Sequence, residues 1–241
     1  MSKTIIFIDH HENPLDDLAW THLGQLGFAR KLICPFKGET IDIAPEDIWG
    51  TVIYGGSHNL GEQATYPFLK DELDWVTRCL ERDLPMLGLC LGGQMIAHAL
   101  GAAVGPRKPQ ECEFGYYPLI PTAHGESWIP DNFHATQAHY EEFALPQGVV
   151  HLAQSERFPN QAFSYREKVV GLQFHPEVTA DIFRRWQASD WAMFDVKGAQ
   201  TREQQDALIE EHDEIQGAWF RQLLESLFGN PAAQESTGSR D

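Results

Sequence analysis

The sequence predicts an α/β fold, with an open, mostly parallel central sheet and helices on both faces. Three observations lead there. Thr4-Ile5-Ile6-Phe7-Ile8 is apolar throughout, as a strand buried on both faces must be. Strand-like runs then alternate with segments of helical spacing through the first half of the chain. A glycine-flanked turn, Gly88-Leu89-Cys90-Leu91-Gly92-Gly93-Gln94, joins the apolar Pro85-Met86-Leu87 to Met95 to Leu100, a helical run ended by Gly101.

The elements follow in order. Asp16 to Gly24 reads as a helix, Lys31 to Pro35 as a second strand, and Thr51 to Tyr54 as a third that runs into Gly55-Gly56. Phe68 to Arg82 carries Leu69, Leu73, Val76 and Leu80 at helical spacing. From Ala102 to about Pro121 short runs between glycines and prolines, such as Phe114 to Ile120, predict hairpin strands, a small antiparallel addition. His151 to Ala153, Gln161 to Tyr165 and Val169 to Phe174 predict three successive strands, the last extending toward Glu177, with a turn at Arg166-Glu167. A helix follows Thr179, with Ile182, Phe183 and Trp186 on one side, and Trp186 to Gly198 is a less regular, aromatic connection.

Thr201 to Leu227 is a long amphipathic helix. Thr201 and Gln204 fit a capping box, and Leu208, Ile215, Trp219, Leu223 and Leu227 make an apolar stripe expected to dock on its own domain, the alternative being a subunit contact. The expected organisation is one domain over residues 1–228, with a core at 4–186, a helical extension at 187–228, and a disordered tail at 229–241.

Composition narrows the function. With 18 basic against 35 acidic residues the net charge is −17, which argues against nucleic acid and against an anionic membrane surface. No apolar run approaches the length of a membrane span. The start of the chain leads straight into a strand rather than a secretory signal. Cys34, Cys79, Cys90 and Cys112 show no C-x-x-C spacing and read as reduced thiols of a cytoplasmic protein.

Cys90 is the candidate nucleophile. A cysteine between strand and helix, with glycines two residues to either side, is the thiol version of the G-x-S-x-G nucleophile elbow. Glycines permit the tight turn. The helix N-terminus behind it offers unpaired N–H groups and favours negative charge, and the thiolate is the reactive form. A nucleophile needs a base, and the base needs an orienting group. His175 and Glu177 supply both: two apart in an extended segment they share a side, and Pro176 keeps the preceding residue extended.

These blocks resemble the class I glutamine amidotransferases of the triad type, in particular the glutaminase domain of GMP synthetase. Tyr54-Gly55-Gly56-Ser57 is similar to the family's oxyanion loop, Gly88 to Gln94 to its nucleophile block, and Gln173-Phe174-His175-Pro176-Glu177-Val178 to its His/Glu block. Gln137-Ala138-His139-Tyr140-Glu141 is a looser match. The likeness spans roughly Thr4 to Trp186. It departs from the pattern at Ser57, where the family usually has Pro, and at Tyr140, where it usually has a small residue.

The resemblance implies hydrolysis of a γ-glutamyl amide by Cys90, His175 and Glu177, with the backbone N–H groups of Gly56 and Leu91 as the oxyanion hole. It implies that Gln94 and the His139-Tyr140 segment hold the substrate. On physics alone Gln94 is equally an amide capping the elbow helix, and His139 equally an ordered loop histidine. No cofactor is implied, and His10, His11 and Glu12 are too close in sequence to converge on a metal ion.

Three functions compete. The first is glutamine hydrolysis with ammonia passed to a separate synthetase partner, because no G-x-x-x-x-G-K-S/T loop occurs in this chain. The second is a γ-glutamyl peptidase or hydrolase acting on larger amines or peptides, consistent with Ser57 and Tyr140. The third, a non-catalytic regulator, has no use for all three of Cys90, His175 and Glu177.

Overall fold

The structure, a computed structural model, describes residues 3–12, 14–107 and 109–229. The expected tail therefore lies, after Gly229, outside the described residues. In chain order the elements are β1 (Thr4–Ile8), α1 (Leu18–Gln25), β2 (Ala29–Ile33), β3 (Gly50–Ile53), α2 (Phe68–Glu81), β4 (Met86–Leu89), α3 (Leu91–Ala99), β5 (Val104–Pro106), β6 (Glu113–Pro118) and β7 (Ile120–Pro121). They continue with β8 (His134–His139), β9 (Glu141–Phe143), β10 (Val150–Gln154), β11 (Ala162–Tyr165), β12 (Val169–Leu172), α4 (Ala180–Gln187) and α5 (Arg202–Phe228).

Eight strands form one sheet in the order β2-β1-β3-β4-β12-β11-β10-β7. The pairings from β2 through β12 are parallel, and those from β12 through β7 are antiparallel. β5–β9 and β6–β8 form two small antiparallel ribbons. The fully apolar β1 is explained directly. Ile5 and Phe7 enter a core shared with α1 and α5, while Ile6 and Ile8 enter a second core shared with α2 and α3. Alternate side chains thus serve opposite faces, and the sheet is covered on both.

Three sequence expectations are corrected. The run from Phe114 does not fold back on itself as a hairpin: β6 pairs with β8, and β7 with β10. The strand predicted to reach Glu177 ends at Leu172, and His175 and Glu177 sit in the turn beyond it. The ladder cannot continue, because the neighbouring β4 ends at Leu89 where the chain enters the elbow. The peptide after β12 crosses instead to Gln161 and to β8, with Gln173 N donating to Gln161 O and His175 N to Thr136 O, both at 2.8 Å.

The third correction concerns α5. The Thr201–Gln204 capping box is present. The expected stripe is not the buried one throughout: Ile215 is 47% exposed, whereas Gln205 and Gln216 are fully buried. The first half of α5 lies over the edges of β6 and β8, whose backbone needs polar partners. Gln205 Nε2 donates to Phe114 O at 2.9 Å, and Gln216 Oε1 accepts from Thr136 N at 2.7 Å. The first half adds Ile209 and Leu208 to a small cluster with Phe114, Tyr116 and Phe183, and the second half, with Trp219, Phe220, Leu223, Leu224 and Phe228, packs as a continuous apolar face.

The elbow is set by how closely α3 approaches the sheet. A Cβ on Gly92 would lie 2.1 Å from the Ile53 carbonyl oxygen, one on Gly93 2.4 Å from that of Leu172, and one on Gly88 2.4 Å from that of Gly92. Backbone stands on the other side in each case, so nothing can yield. Gly92→Ala is therefore expected to cost about 3 kcal/mol, the upper end for overpacking. The control Gly61→Ala, where a Cβ meets nothing within 4 Å, should stay within about 0.5 kcal/mol. Urea unfolding midpoints of the two variants measure the difference.

Candidate active site

Cys90 stands between β4 and α3 with φ 50° and ψ −106°, a left-handed conformation that a side chain rarely adopts. Such residues cost of order 1–3 kcal/mol and persist only where the surroundings over-determine them. Here Cys90 N donates to Leu172 O at 2.8 Å and Cys90 O accepts from Gln94 N at 2.9 Å, pinning both sides of the residue. Cys90 lines one wall of a cavity of about 690 Å³, together with Gly55, Gly56, Gln94, His175 and Glu177.

His175 and Glu177 form a buried pair, Nδ1 donating to Oε1 at 2.8 Å. Cys90 lies close enough to the ring to influence its titration. With Nδ1 committed to Glu177, Nε2 is the nitrogen left for the sulfur. Trp186 packs edge-on against the imidazole, with 5.0 Å between ring centroids, and shields it from water. Burial lowers the His175 pKa, but the charges of Glu177 and Cys90 and their hydrogen bonds outweigh it and push it up to about 10. Glu177 Oε2 has no hydrogen-bond partner among the described residues, so His175 is the group that compensates its charge.

The loop after β3 brings Gly55 and Gly56 to this pair. A Cβ on Gly55 would stand 2.7 Å from His175 Cε1 and 3.3 Å from Cys90 Cβ, and one on Gly56 would stand 3.0 Å from Leu91 Cδ2. Leu91 is the first residue of α3, where backbone N–H groups lack intrahelical partners. Gln94 does not cap the elbow helix. It is buried on the cavity wall and donates from Nε2 to Gln173 Oε1 at 3.2 Å.

His139 ends β8 rather than lying in a loop. Its ring is occupied by protein, with Nδ1 at 3.0 Å from Glu141 O, Nε2 at 3.3 Å from Glu113 Oε2, and an edge-on contact with Phe158. The Tyr140 hydroxyl donates to Asn59 Oδ1 at 2.8 Å, tying the strand end to the far side of the cavity mouth.

Sequence reasoning missed two parts of this site. Gln173 Nε2 donates to Cys90 Sγ at 3.5 Å, so the glutamine two residues before His175 steadies the sulfur. Its place in the His/Glu block was the available signal. Asp17 caps α1, accepting from Trp20 N and, through both oxygens, from the Tyr54 hydroxyl. Burial raises its carboxyl pKa, Trp20 and Tyr54 lower it, and Glu177 raises it again, for a value of about 6. Leu18 N donates to Glu177 O at 2.9 Å, so the start of α1 holds the turn that carries Glu177.

A strained thiol at a helix N-terminus, a carboxylate-backed imidazole and a glycine loop beside the sulfur make up the equipment for acyl transfer through a thioester. Comparison with known proteins identifies the family. The family described as Glutamine amidotransferase class-I matches residues 23–185, and this chain belongs to that family. It is related to the glutaminase parts of GMP synthases. It is 31% identical over 174 residues to a glutamine-hydrolyzing GMP synthase subunit from Thermoplasma volcanium, covering 69% of this chain and 82% of that one. It is 34% identical over 134 residues to the GMP synthase of Thermomicrobium roseum, covering 54% of this chain and 23% of the relative. The chain thus spans less than half the length of the full GMP synthases it matches. A crystal structure of a glutamine amidotransferase from Thermotoga maritima superposes with TM-score 0.82 at 28% identity, covering 93% of this chain and 97% of that one.

The raised His175 pKa sets a pH dependence. With His175 serving as an acid, its protonated form is the working one, so kcat/KM is expected to hold at neutral pH and fall as pH rises through about 10. In Glu177→Gln one of the charges that raise the value is gone, and the alkaline limb should move to lower pH. Profiles of kcat/KM from pH 6 to about 10.5 for both proteins check this.

Proposed function

We propose that this chain hydrolyses the side-chain amide of glutamine through a thioester on Cys90 and supplies the ammonia to a separate synthetase. The sulfur attacks the carboxamide carbon, and the oxyanion takes N–H bonds from Gly56 and Leu91. The C–N bond breaks as His175 gives its proton to the leaving nitrogen. Water, activated by the now neutral His175, then attacks the thioester; its proton passes to His175, glutamate is released, and Cys90 and His175 return to their starting forms. Glu177 orients the ring throughout. The observation that carries this reading is the strained Cys90 sharing one cavity wall with the 2.8 Å His175–Glu177 pair. A separate synthetase is supported by the match to a relative named as one part of a divided GMP synthase, over most of that relative's length.

The test is release of glutamate from L-glutamine, which Cys90→Ala should abolish with the fold intact. Iodoacetamide at neutral pH should label Cys90 first. Burial pushes Cys79 up to about 12 and Cys112 up to about 11, and it also raises Cys34, so the other thiols stay protonated. Peptide mapping of the alkylated protein reads the order. First labelling of another cysteine, with activity lost in parallel, would refute the assignment.

A second reading is favoured by the cavity itself. Beyond Cys90 it is walled by Trp186, Trp191, Met193, Ile182 and Tyr140, mostly from α4 and the aromatic connection. Its volume of about 690 Å³ exceeds what one glutamine fills. Apolar surface so placed would contact the leaving group of a larger γ-glutamyl amide, and such remote binding raises turnover when the contacts persist in the transition state. On this reading an aromatic γ-glutamyl amide should exceed glutamine in kcat/KM by about tenfold, and Trp191→Ala should remove most of that advantage. Steady-state kinetics on both substrates separates the two readings.

A further inference from the structure

His10 lies beside the catalytic loop. Its side chain and that of Glu72 are 0% and 1% exposed, and His10 Nε2 stands 2.9 Å from Glu72 Oε2. Its other nitrogen, Nδ1, stands 3.1 Å from the carbonyl oxygen of Gly55. Both partners are acceptors. A neutral imidazole has one ring hydrogen, so two such bonds require the doubly protonated ring. Burial opposes that charge, but the Glu72 hydrogen bond and the charges of Glu72 and Asp9 favour it, and the net direction is upward.

The bond to Gly55 O has a consequence one atom further on. The Gly55 carbonyl and the Gly56 N–H belong to one planar trans peptide and point in opposite directions. Whatever fixes the carbonyl fixes the N–H. Two successive glycines leave the peptide otherwise free to turn, since neither residue has a Cβ to restrict it. A Cβ on Gly55 would stand 3.3 Å from Cys90 Cβ, and one on Gly56 2.8 Å from His10 Cβ, so this peptide runs between the imidazole and the thiol.

We propose that His10, clamped by Glu72, is a positioning residue for the oxyanion hole: it holds the Gly55 carbonyl on its own side and so keeps the Gly56 N–H directed at the acyl oxygen on Cys90. The inference rests on the hydrolase reading above. It also gives Glu72 a role that an acidic residue on the buried face of α2 otherwise lacks. The charged ring polarises the same peptide and makes its N–H a stronger donor.

The experiment compares the parental protein with Cys90→Ala, His10→Leu, His10→Gln and Glu72→Gln. Two rates are measured for each: glutamate release from L-glutamine, and alkylation of Cys90 by iodoacetamide. Displacement at a tetrahedral carbon develops no oxyanion, so alkylation reports the thiol and its base alone. His10→Leu should lose about 10²-fold in kcat, the scale of one oxyanion donor, with KM little changed. Its alkylation rate should match the parental one. His10→Gln, whose amide N–H can reach Gly55 O, should recover part of the loss, and Glu72→Gln should lose about tenfold. Should His10→Leu fail to fold, the latter two variants carry the same comparison.

A kcat within about threefold of the parental value in the folded His10 and Glu72 variants would overturn the role. So would alkylation falling in parallel with kcat, which would make His10 a structural residue only. A parental protein that releases no glutamate, or a Cys90→Ala variant that releases it at the parental rate, would overturn the hydrolase reading itself and the role with it.

Discussion

The separation between α3 and the sheet governs this molecule more than any single polar contact. Gly92 and Gly93 press backbone against the Ile53 and Leu172 carbonyls, closer than any Cβ allows. That approach leaves the chain so little room to leave β4 that Cys90 takes a left-handed backbone. The strain is small beside the apolar burial of the two cores flanking the sheet, so packing decides and the thiol is lifted out of the sheet. The helix N-terminus arrives at the sulfur for the same geometric reason.

Around that point the interior is unusually polar. Burial, and to a lesser degree the charge of Glu177, raises the carboxyl pKa of both Asp9 and Asp17, in a protein that is already acidic overall. In two buried imidazoles, His10 and His175, neighbouring carboxylates outweigh burial and raise the pKa. Removing one partner of such a pair leaves an uncompensated charge, commonly costing about 3–5 kcal/mol. Amides extend the pattern. Gln94 and Gln173 join each other, and Gln137, Gln161 and Glu113 link β8 to β6. Among the described residues Glu72 Oε1, Gln137 Oε1 and Glu177 Oε2 are left without a hydrogen-bond partner, so these networks are only partly satisfied, which makes their arrangement costly to disturb.

Much of this was legible in the sequence, and the exceptions share a cause. The elbow could be read because its glycines, strand and helix are contiguous. The capping box of α5 and the apolar β1 are equally local. Glu72 was not legible: on α2 it looks like one more surface charge, and its partner lies 62 residues away. Gln205 and Gln216 of α5 fall outside the apolar stripe, because helical periodicity scores polarity and not whether a strand edge waits above it. β8, His-Ala-Thr-Gln-Ala-His, has too little apolar alternation to announce a strand. His175 and Glu177 stand 2.8 Å apart although the segment that carries them is a turn and not the extended strand from which their shared side is read.

The strand order carries a consequence in time. β4 ends at Leu89, yet its parallel neighbour β12 begins at Val169 and is among the last strands of the chain to be made. During synthesis β4 can pair with β3 at once, but its second partner lies about eighty residues downstream, and pairings that distant are slow to close. Until β12 inserts between β4 and β11, Cys90 lacks both its Leu172 anchor and the His175 turn. The growing chain thus carries Cys90 without its strained setting, and the cavity wall around it is assembled only when the sheet is complete.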